Sequence, residues 1–377
     1  MTQRIAAVLS ASGAAPDRKL LGLTVGERLL LTLEKADISH VVFIGDGTQP
    51  TSTRSTLQPM RQQEVPPEGY VWVVPSDAVI DAGLLQDDTL LPEDLPIRRI
   101  PVSELPQNET EVTSLLSSLG NGRALSGKGY AVRILDDAAV KAAENALMKS
   151  LVKEADGVIS RYLNRKISTF FSRRLAPLPI TPNMVTAVVF LIGVLSGPLA
   201  FLGTPLGFAL GGFCYWFSAV LDGCDGEISR LKYLGSPLGA WLDTVVDDLV
   251  CLSYISGMYL SLARTAGHPY WGWTGLAAVG FFLLTILPRY YVMAVRSGSG
   301  DYQKLAKETR DETPGAVSKI LLGLRDFVFR TDFLPFAGMA TAILGVPEIF
   351  AAPFALGAFA SAIDSFVKLF SYRPDTA

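Results

Sequence analysis

The residues of this sequence best suited to chemistry are four aspartates in the stretch 221–248. Asp222 and Asp225 lie three residues apart, and Asp243 and Asp247 lie four apart after a segment with glycines and basic residues. On a helix, residues three or four apart share one face, so each pair would present two carboxylates side by side. Four carboxylates gathered at one place repel one another, and bound divalent cations offset that repulsion. The spacing therefore predicts a metal site built from oxygen ligands.

These aspartates are surrounded by apolar sequence of membrane-spanning length. Hydrophobic residues make up 49% of the 377 residues, and the mean hydropathy is +0.32. The apolar excess begins at about Met184, whereas residues 1–147 have the composition of a water-soluble domain. Because carboxylates beside a membrane segment are costly, they mark a functional site by default. The chain is therefore predicted to be an integral membrane protein with an acidic site at the membrane edge.

Residues 180–377 are predicted to form a domain of six transmembrane helices. The first helix would start with Thr181 as N-cap and Pro182 at its first position. The positive-inside rule then places both termini and the aspartates in the cytoplasm, at the inner or plasma membrane. The basic segments behind this assignment lie around Arg173 and Arg230 and in the ranges 304–330 and 368–373. The predicted spans are Met184–Leu202, Leu206–Leu221, Ala240–Leu262, Trp273–Val295, Phe333–Leu344 and Ile349–Phe370.

The amino-terminal part alternates strand and helix patterns. Short apolar runs at Ile5–Leu9, His40–Gly47 and Tyr70–Ile80 read as buried strands, and later strands follow within RRIPV and YAVRIL. A helix is predicted after the N-cap Thr24, and an alanine-rich helix over Asp137–Leu151. This order predicts a soluble α/β domain of Rossmann type with a parallel or mixed sheet over residues 1–147.

The junction, residues 148–179, combines helical apolar positions with many Lys and Arg residues. This pattern predicts an amphipathic juxtamembrane helix on the anionic cytoplasmic leaflet, and a basic face that merely obeys the positive-inside rule is the alternative. Arg161, Asn164 and Arg165 are candidates for binding a phosphate group. Arg289, after Pro288 in a later apolar run, is a candidate for binding an acidic group of a substrate, or else a snorkelling interfacial arginine.

Composition also excludes several classes of function. The three cysteines have no metal-ligand spacing, and the two histidines, His40 and His268, fall in different halves of the chain. Histidine-based metal or nucleophile chemistry is therefore not expected. The net charge of −3 predicts no nucleic-acid partner.

The acidic stretch resembles the signature of the CDP-alcohol phosphotransferase family, also called CDP-alcohol phosphatidyltransferases. The match consists of Asp222, two residues, Asp225-Gly226, two residues, Ser229-Arg230, eight residues, Gly239, three residues, Asp243, three residues and Asp247, with Ser229 where the family usually has Ala. The resemblance implies transfer of a phospho-alcohol group from a CDP-alcohol to an acceptor hydroxyl, with release of CMP. It also implies membrane lipids as partners and a homodimer.

Roles for individual residues follow from this resemblance. Two divalent cations, Mg²⁺ or Mn²⁺, would be held by Asp222, Asp225, Asp243 and Asp247, and Asp247 would also take the proton from the acceptor hydroxyl. The expected contacts of the CDP moiety and its phosphates are Gly226, Ser229, Arg230 and Gly239. For the two glycines, close helix packing is an alternative, and for Arg230 a positive-inside anchor. Glu227 and Asp248 are further acids outside the signature.

The amino-terminal domain resembles the sugar-phosphate nucleotidyltransferases in its strand, small-residue turn and following GLTVGERLLLTLEKADISHVVFIGD. The turn, Ser10–Lys19, retains one glycine, Gly13, and Asp77 stands where a metal-binding Asp is expected. We expect a degenerate domain that acts as scaffold or regulator, with an active cytidylyltransferase as the alternative. The fusion resembles bifunctional enzymes that make CDP-inositol and then di-inositol phosphate phosphate.

Three functions remain open from the sequence. The leading one is a CDP-alcohol phosphotransferase that uses CDP-inositol with an inositol phosphate or another phosphorylated alcohol. The second is a phospholipid synthase that uses CDP-diacylglycerol. The third, from another class, is a non-catalytic membrane scaffold or divalent-metal transporter.

Overall fold

The computed structural model describes residues 4–86, 95–121, 124–125, 129–152, 157, 159–292, 294 and 333–371. The chain divides into two units, and each is described separately. The α/β unit contains residues up to Lys153 together with Arg173–Pro179 and Leu231–Tyr233. The helical unit contains Glu154–Ser172, Ile180–Arg230 and the chain from Leu234 onward. The basic ranges 304–330 and 372–373, on which the sidedness prediction partly rests, lie outside the described residues.

A five-stranded sheet of mixed direction forms the centre of the α/β unit. Its order is β5-β4-β1-β6-β8, in which β8 is antiparallel to its neighbour and the other pairings are parallel. Strand β1 is buried along its whole length, as the continuous apolar run predicted. The strands of this sheet are β1 Ile5–Leu9, β4 His40–Ile44, β5 Gln58–Pro59, β6 Tyr70–Pro75 and β8 Arg98–Pro101. The mixed α/β architecture predicted from the sequence is thus confirmed.

Smaller strand pairs complete this unit. Strands β7, Ala78–Ile80, and β9, Ala124–Leu125, flank β10, Gly129–Arg133, in an antiparallel sheet. Strands β2, Lys19–Leu20, and β3, Leu23–Thr24, form a hairpin.

The predicted strand over Tyr70–Ile80 is in fact two strands, β6 and β7, that belong to different sheets. The break falls at Ser76 and Asp77, which are both buried. Asp77 accepts two hydrogen bonds from Arg133 of β10, at 3.1 Å and 3.2 Å. A buried carboxylate needs such a partner, and this one ties the break between β6 and β7 to strand β10.

The described residues of the amino-terminal part include the α-helices α1 Val25–Lys35, α2 Gly83–Gln86, α3 Glu109–Ser118 and α4 Asp137–Ser150. The predicted cap of α1 is confirmed, because Thr24 Oγ1 accepts a hydrogen bond from the amide of Glu27 at 3.1 Å. Asp136 caps α4 in the same way through the amide of Ala139. Helix α1 turns its apolar face onto the sheet, where Leu29 and Leu33 are fully buried.

The junction is not one continuous helix, which corrects the prediction. Helix α4 ends at Ser150. Among the described residues that follow, Ser160–Asn164 form a π-type turn, which leads directly into α5, Arg165–Leu175. Helix α5 carries the apolar and basic residues behind the juxtamembrane prediction, its buried positions are Ser168 and Ser172, and its placement on the membrane surface stays a prediction.

The helical unit consists of apolar helices. Thr181 caps α6 and Pro182 occupies its first turn, both as predicted. The helices are α6 Pro182–Val194, α7 Ser196–Phe201, α8 Pro205–Lys232, α9 Pro237–Thr265, α10 Tyr270–Val292, α11 Phe333–Ile343 and α12 Glu348–Ser371.

Four of the six predicted spans have helices long and apolar enough to cross a membrane. They are Pro182–Phe201, which joins α6 and α7, Pro205–Lys232, Pro237–Thr265 and Tyr270–Pro288. The apolar parts of α11 and α12 are shorter, at Phe333–Ile343 and Glu348–Ile363 within the described residues. Four such helices make this an integral membrane protein, and six spans are not established.

Helix α9 lies at the centre of this unit. A Cβ on Gly257 would lie 2.0 Å from the carbonyl oxygen of Gly197 in α7, so the two backbones touch at this crossing. On other faces, Tyr254 donates a hydrogen bond to Gly338 of α11 and Tyr259 donates one to Ala351 of α12. These contacts hold rigidly the helix that carries two of the four aspartates.

Candidate active site

Helices α8 and α9 carry the four aspartates near the turn that joins them. Helix α8 continues beyond Leu221, the predicted end of the membrane span, through both of its aspartates to Lys232. It stops where Tyr233 adopts a left-handed conformation, with φ of 53°, and the amide of Leu234 donates back to Ser229 O at 2.9 Å. Helix α9 then starts with Ser236 as its cap.

Three carboxylates meet across these two helices. Asp222, Asp225 and Asp243 each offer an oxygen atom, and these atoms lie within 4.8 Å of one another. Asp225 is buried, and Asp222 Oδ1 is a buried oxygen that accepts no hydrogen bond in the described part of the chain. A set of hard oxygen donors with an orphaned buried atom fits a divalent cation such as Mg²⁺ or Mn²⁺.

The carboxylate of Asp225 is held in place from both sides. The hydroxyl of Thr186 on α6 donates to Asp225 Oδ2 at 2.6 Å, and the amide of Gly226 donates to Asp225 Oδ1 at 2.5 Å. Thr186 is itself buried, so this bond is shielded from water. The sequence placed Thr186 at the start of a membrane helix without a role, because a contact between α6 and α8 leaves no mark in local spacing.

Asp247 lies outside this group of three. It follows Asp243 by one turn of α9, and its side chain is exposed. The neighbouring Asp248 is buried and accepts a hydrogen bond from the phenol of Tyr290 on α10 at 2.6 Å. The two adjacent acids therefore face different surroundings, and only Asp247 is open to solvent.

The two signature glycines are not sites of tight helix packing. A Cβ on Gly226 would meet only the guanidinium of Arg230, at 3.4 Å, among the described atoms. One on Gly239 would meet Ser236 Oγ at 3.1 Å and Asn183 Oδ1 at 3.4 Å. Neither glycine touches a neighbouring helix backbone, in contrast to Gly257. This favours open space for a ligand over the alternative of helix packing.

The candidates on the junction differ in their surroundings. Asn164 is buried and accepts a hydrogen bond from Trp216 Nε1 at 3.3 Å, so it packs α5 against α8. Arg165 donates from Nη1 to Glu227 Oε1 of α8 at 2.9 Å. Arg161 is exposed. The side chain of Arg289 lies outside the described residues.

In the α/β unit, the residues predicted for a nucleotide site are engaged elsewhere. Asp77 is held by Arg133, and Arg18 forms an ion pair with Asp137. Gly13 has a φ of 93° and open space around it, so the turn keeps the backbone form of a glycine-containing loop.

The part of the chain that contains the aspartate signature also matches a known protein family. Residues 179–310 match the family model for CDP-alcohol phosphatidyltransferases. This part of the chain is similar to CDP-alcohol phosphatidyltransferases. All four aspartates and both signature glycines fall within the matched range, and the domain starts just before the N-cap of α6.

Named relatives match about a third of the chain. A bifunctional IPC transferase and DIPP synthase of Thermococcus kodakarensis is 37% identical over 143 residues, which cover 37% of this chain and 31% of the relative. A protein of the same name from Archaeoglobus fulgidus is 38% identical over 128 residues, which cover 34% of this chain and 25% of that relative. An archaetidylinositol phosphate synthase of Pyrococcus horikoshii is 31% identical over 113 residues, which cover 30% of this chain and 56% of that relative. The chain thus spans less than a third of the length of the first two relatives.

Proposed function

We propose that this protein is a metal-dependent CDP-alcohol phosphotransferase. The observation that carries the proposal is the group formed by Asp222, Asp225 and Asp243 inside a CDP-alcohol phosphatidyltransferase domain. The reaction moves a phospho-alcohol group from the CDP-alcohol to an acceptor hydroxyl. A bond forms between the acceptor oxygen and the β-phosphorus, the bond from that phosphorus to the bridging oxygen breaks, and CMP leaves.

The aspartates have distinct tasks in this reaction. Asp222, Asp225 and Asp243, joined by Asp247, would hold two divalent cations, Mg²⁺ or Mn²⁺. Bound there, the cations would supply charge neutralisation for the pyrophosphate. Asp247 takes the proton of the acceptor hydroxyl, and its exposed position on α9 leaves it accessible to an incoming acceptor. Thr186 keeps Asp225 oriented through its hydrogen bond.

The donor and acceptor are bound by different surfaces of the same site. Gly226 and Gly239 leave room for the nucleotide, and Ser229 and Arg230 bind its phosphates. On the acceptor side we propose Arg165 as the principal phosphate ligand, with Arg161 and Arg289 as further candidates. Asn164 remains a further candidate through its Nδ2 donor, because the hydrogen bond from Trp216 engages only its side-chain oxygen.

We propose an inositol phosphate as acceptor and CDP-inositol as donor. Support comes from the printed names of the relatives, a DIPP synthase and an archaetidylinositol phosphate synthase. The second name concerns a lipid product, so a CDP-diacylglycerol-type donor remains the alternative. The proposal also includes a cytoplasmic site, cytoplasmic termini and a homodimer.

The α/β unit is proposed to be a non-catalytic scaffold. Its candidate metal ligand Asp77 is neutralised by Arg133, and Arg18 is paired with Asp137. We therefore expect no CDP-inositol when the protein is incubated with CTP, Mg²⁺ and inositol phosphate. Formation of CDP-inositol would show that this unit is an active cytidylyltransferase.

The function is tested with the full chain in detergent or liposomes. CDP-inositol and CDP-diacylglycerol are each offered with a panel of acceptors, CMP is followed, and the product is identified by mass. The control Asp247→Asn should fold and bind metal but lose turnover, and normal turnover would remove Asp247 as base. Absence of CMP from every pair, together with movement of a divalent ion across liposomes, would favour the transporter hypothesis instead.

A further inference from the structure

Helix α8 carries a fifth acid, Glu227, that the signature does not use. It follows Asp225 by two residues, which is about 200° around a helix, so it points away from the aspartates. Its side chain is completely buried, with 0% exposure. A buried carboxylate is costly unless it is paired and hydrogen bonded, so its surroundings explain why it can lie there.

Both partners of Glu227 come from helix α5. Arg165 Nη1 donates to Glu227 Oε1 at 2.9 Å, and Ser168 Oγ donates to the same oxygen at 2.7 Å. The second oxygen, Oε2, is buried and accepts no hydrogen bond in the described part of the chain. A half-satisfied buried ion pair is a poor source of stability, because apolar side chains of similar size often do as well. The pair is better explained by the position it gives to Arg165.

That position is against helix α8, one residue after Asp222. A Cβ on Gly223 would lie 3.2 Å from Arg165 Nη1 and 3.4 Å from Ser168 Oγ. Cys224 adds a contact to the carbonyl oxygen of Ser168 at 3.4 Å. The guanidinium therefore lies against the turn of α8 that follows Asp222, on a different face of the helix from Asp222 and Asp225, with its side chain 15% exposed.

We propose that Glu227, assisted by Ser168, is a positioning residue for Arg165. It fixes the guanidinium against Gly223, on the turn of α8 that follows Asp222, from where Arg165 binds the phosphate of a phosphorylated acceptor alcohol. Without the carboxylate, the long arginine side chain regains its rotamer freedom and is drawn towards the aspartates themselves. This inference rests on the proposed function, since it assigns the acceptor side of that site.

The test is the isosteric variant Glu227→Gln. It retains an oxygen that accepts from Ser168 but removes the charge that holds Arg165. Loss of one charge-assisted contact corresponds to roughly 10-fold to 100-fold in affinity, so the KM for inositol phosphate should rise by about this factor. The kcat and the KM for the CDP-alcohol should stay within about 3-fold of the wild type, because the aspartates are untouched. An unphosphorylated acceptor such as inositol should be used equally well by both proteins.

A matched control comes from the same helix. Arg173 of α5 pairs with Glu144 at the same distance, 2.9 Å, but both side chains are partly exposed and both belong to the α/β unit. Glu144→Gln should leave both KM values unchanged. Arg165→Ala should reproduce the Glu227→Gln effect, and the double variant should be no worse than Arg165→Ala alone. Additive losses in the double variant would contradict the inference.

Failure of the inference can be told apart from failure of the proposed function. If the wild type releases CMP but Glu227→Gln keeps the wild-type KM for inositol phosphate, the positioning role is wrong. If the wild type releases no CMP, binding of inorganic phosphate is measured by the rise in melting temperature. Protection of the wild type but not of Glu227→Gln would then support the anion site, and equal protection would overturn it. If Glu227→Gln does not fold, Arg165→Lys tests the same ion pair through its other partner. The KM for inositol phosphate should then rise by the same factor. An unchanged KM for inositol phosphate would contradict the positioning role.

Discussion

The hydrogen bond from Thr186 to Asp225 gives a sharp prediction about metal binding. In Thr186→Val the side chain keeps its shape but loses the hydroxyl that donates to Asp225 Oδ2 at 2.6 Å. Both residues are buried, so water cannot replace the donor. Hydrogen bonds to charged groups contribute about 1.5–3 kcal/mol, and outer partners of metal ligands typically account for 10-fold to 100-fold in metal affinity. We therefore expect Mn²⁺ to bind roughly 10-fold to 100-fold more weakly.

The assay is a titration with Mn²⁺ in which free Mn²⁺ is followed by electron paramagnetic resonance. Thr186→Ser, which retains a hydroxyl, should recover most of the affinity. Thr285→Val is the control, because its hydroxyl donates within α10 to Phe281 O at 2.9 Å. Wild-type Mn²⁺ affinity in Thr186→Val, with the fold intact, would refute the idea that Thr186 orients a metal ligand.

Further predictions concern packing and pairing. Gly257→Ala places a methyl group 2.0 Å from Gly197 O, and this overpacking should destabilise the protein by about 1–3 kcal/mol. The melting temperature in detergent should therefore fall. An unchanged melting temperature would contradict the close crossing of α7 and α9. Gly226→Ala meets only a flexible guanidinium and should melt like the wild type, but the KM for the CDP-alcohol should rise; an unchanged KM would remove this glycine from the donor site. Asp77→Ala leaves Arg133 buried without its carboxylate, which should destabilise the α/β unit by about 3–5 kcal/mol, measured as the urea midpoint. A midpoint equal to that of the wild type would show that the pair is not structural.

Local signals predicted much of the fold. The caps at Thr24 and Thr181 were correct because a cap depends on a side chain and an amide only a few residues away. The strands β1 and β4 were found because a short, continuous apolar run has few other uses in a soluble domain.

The errors arose where distant residues decide the structure. The second membrane span was predicted to end at Leu221, because Asp222 looks like the end of an apolar span. The helix itself continues to Lys232, and it stops where Tyr233 adopts a left-handed conformation. The run over Tyr70–Ile80 was read as one strand because the partner of Asp77, Arg133, is 56 residues away.

The candidate site was predictable only in part. The spacing of the aspartates led directly to the group of Asp222, Asp225 and Asp243, because helix periodicity is a local property. Thr186 and Glu227 were not recognised as site residues, since their partners lie on other helices. The side-chain oxygen of Asn164 accepts a hydrogen bond from Trp216, and its predicted role as a phosphate ligand stays a prediction.

The group of Asp222, Asp225 and Asp243 is proposed to hold the cations that enable transfer from a CDP-alcohol. The most direct measurement is CMP release from CDP-inositol with inositol phosphate, by wild type and by Asp243→Asn, with Mg²⁺ and with excess chelator. Metal-dependent release by the wild type and none by the variant is the predicted result. Equal release in chelator, or normal release by Asp243→Asn, would contradict the account.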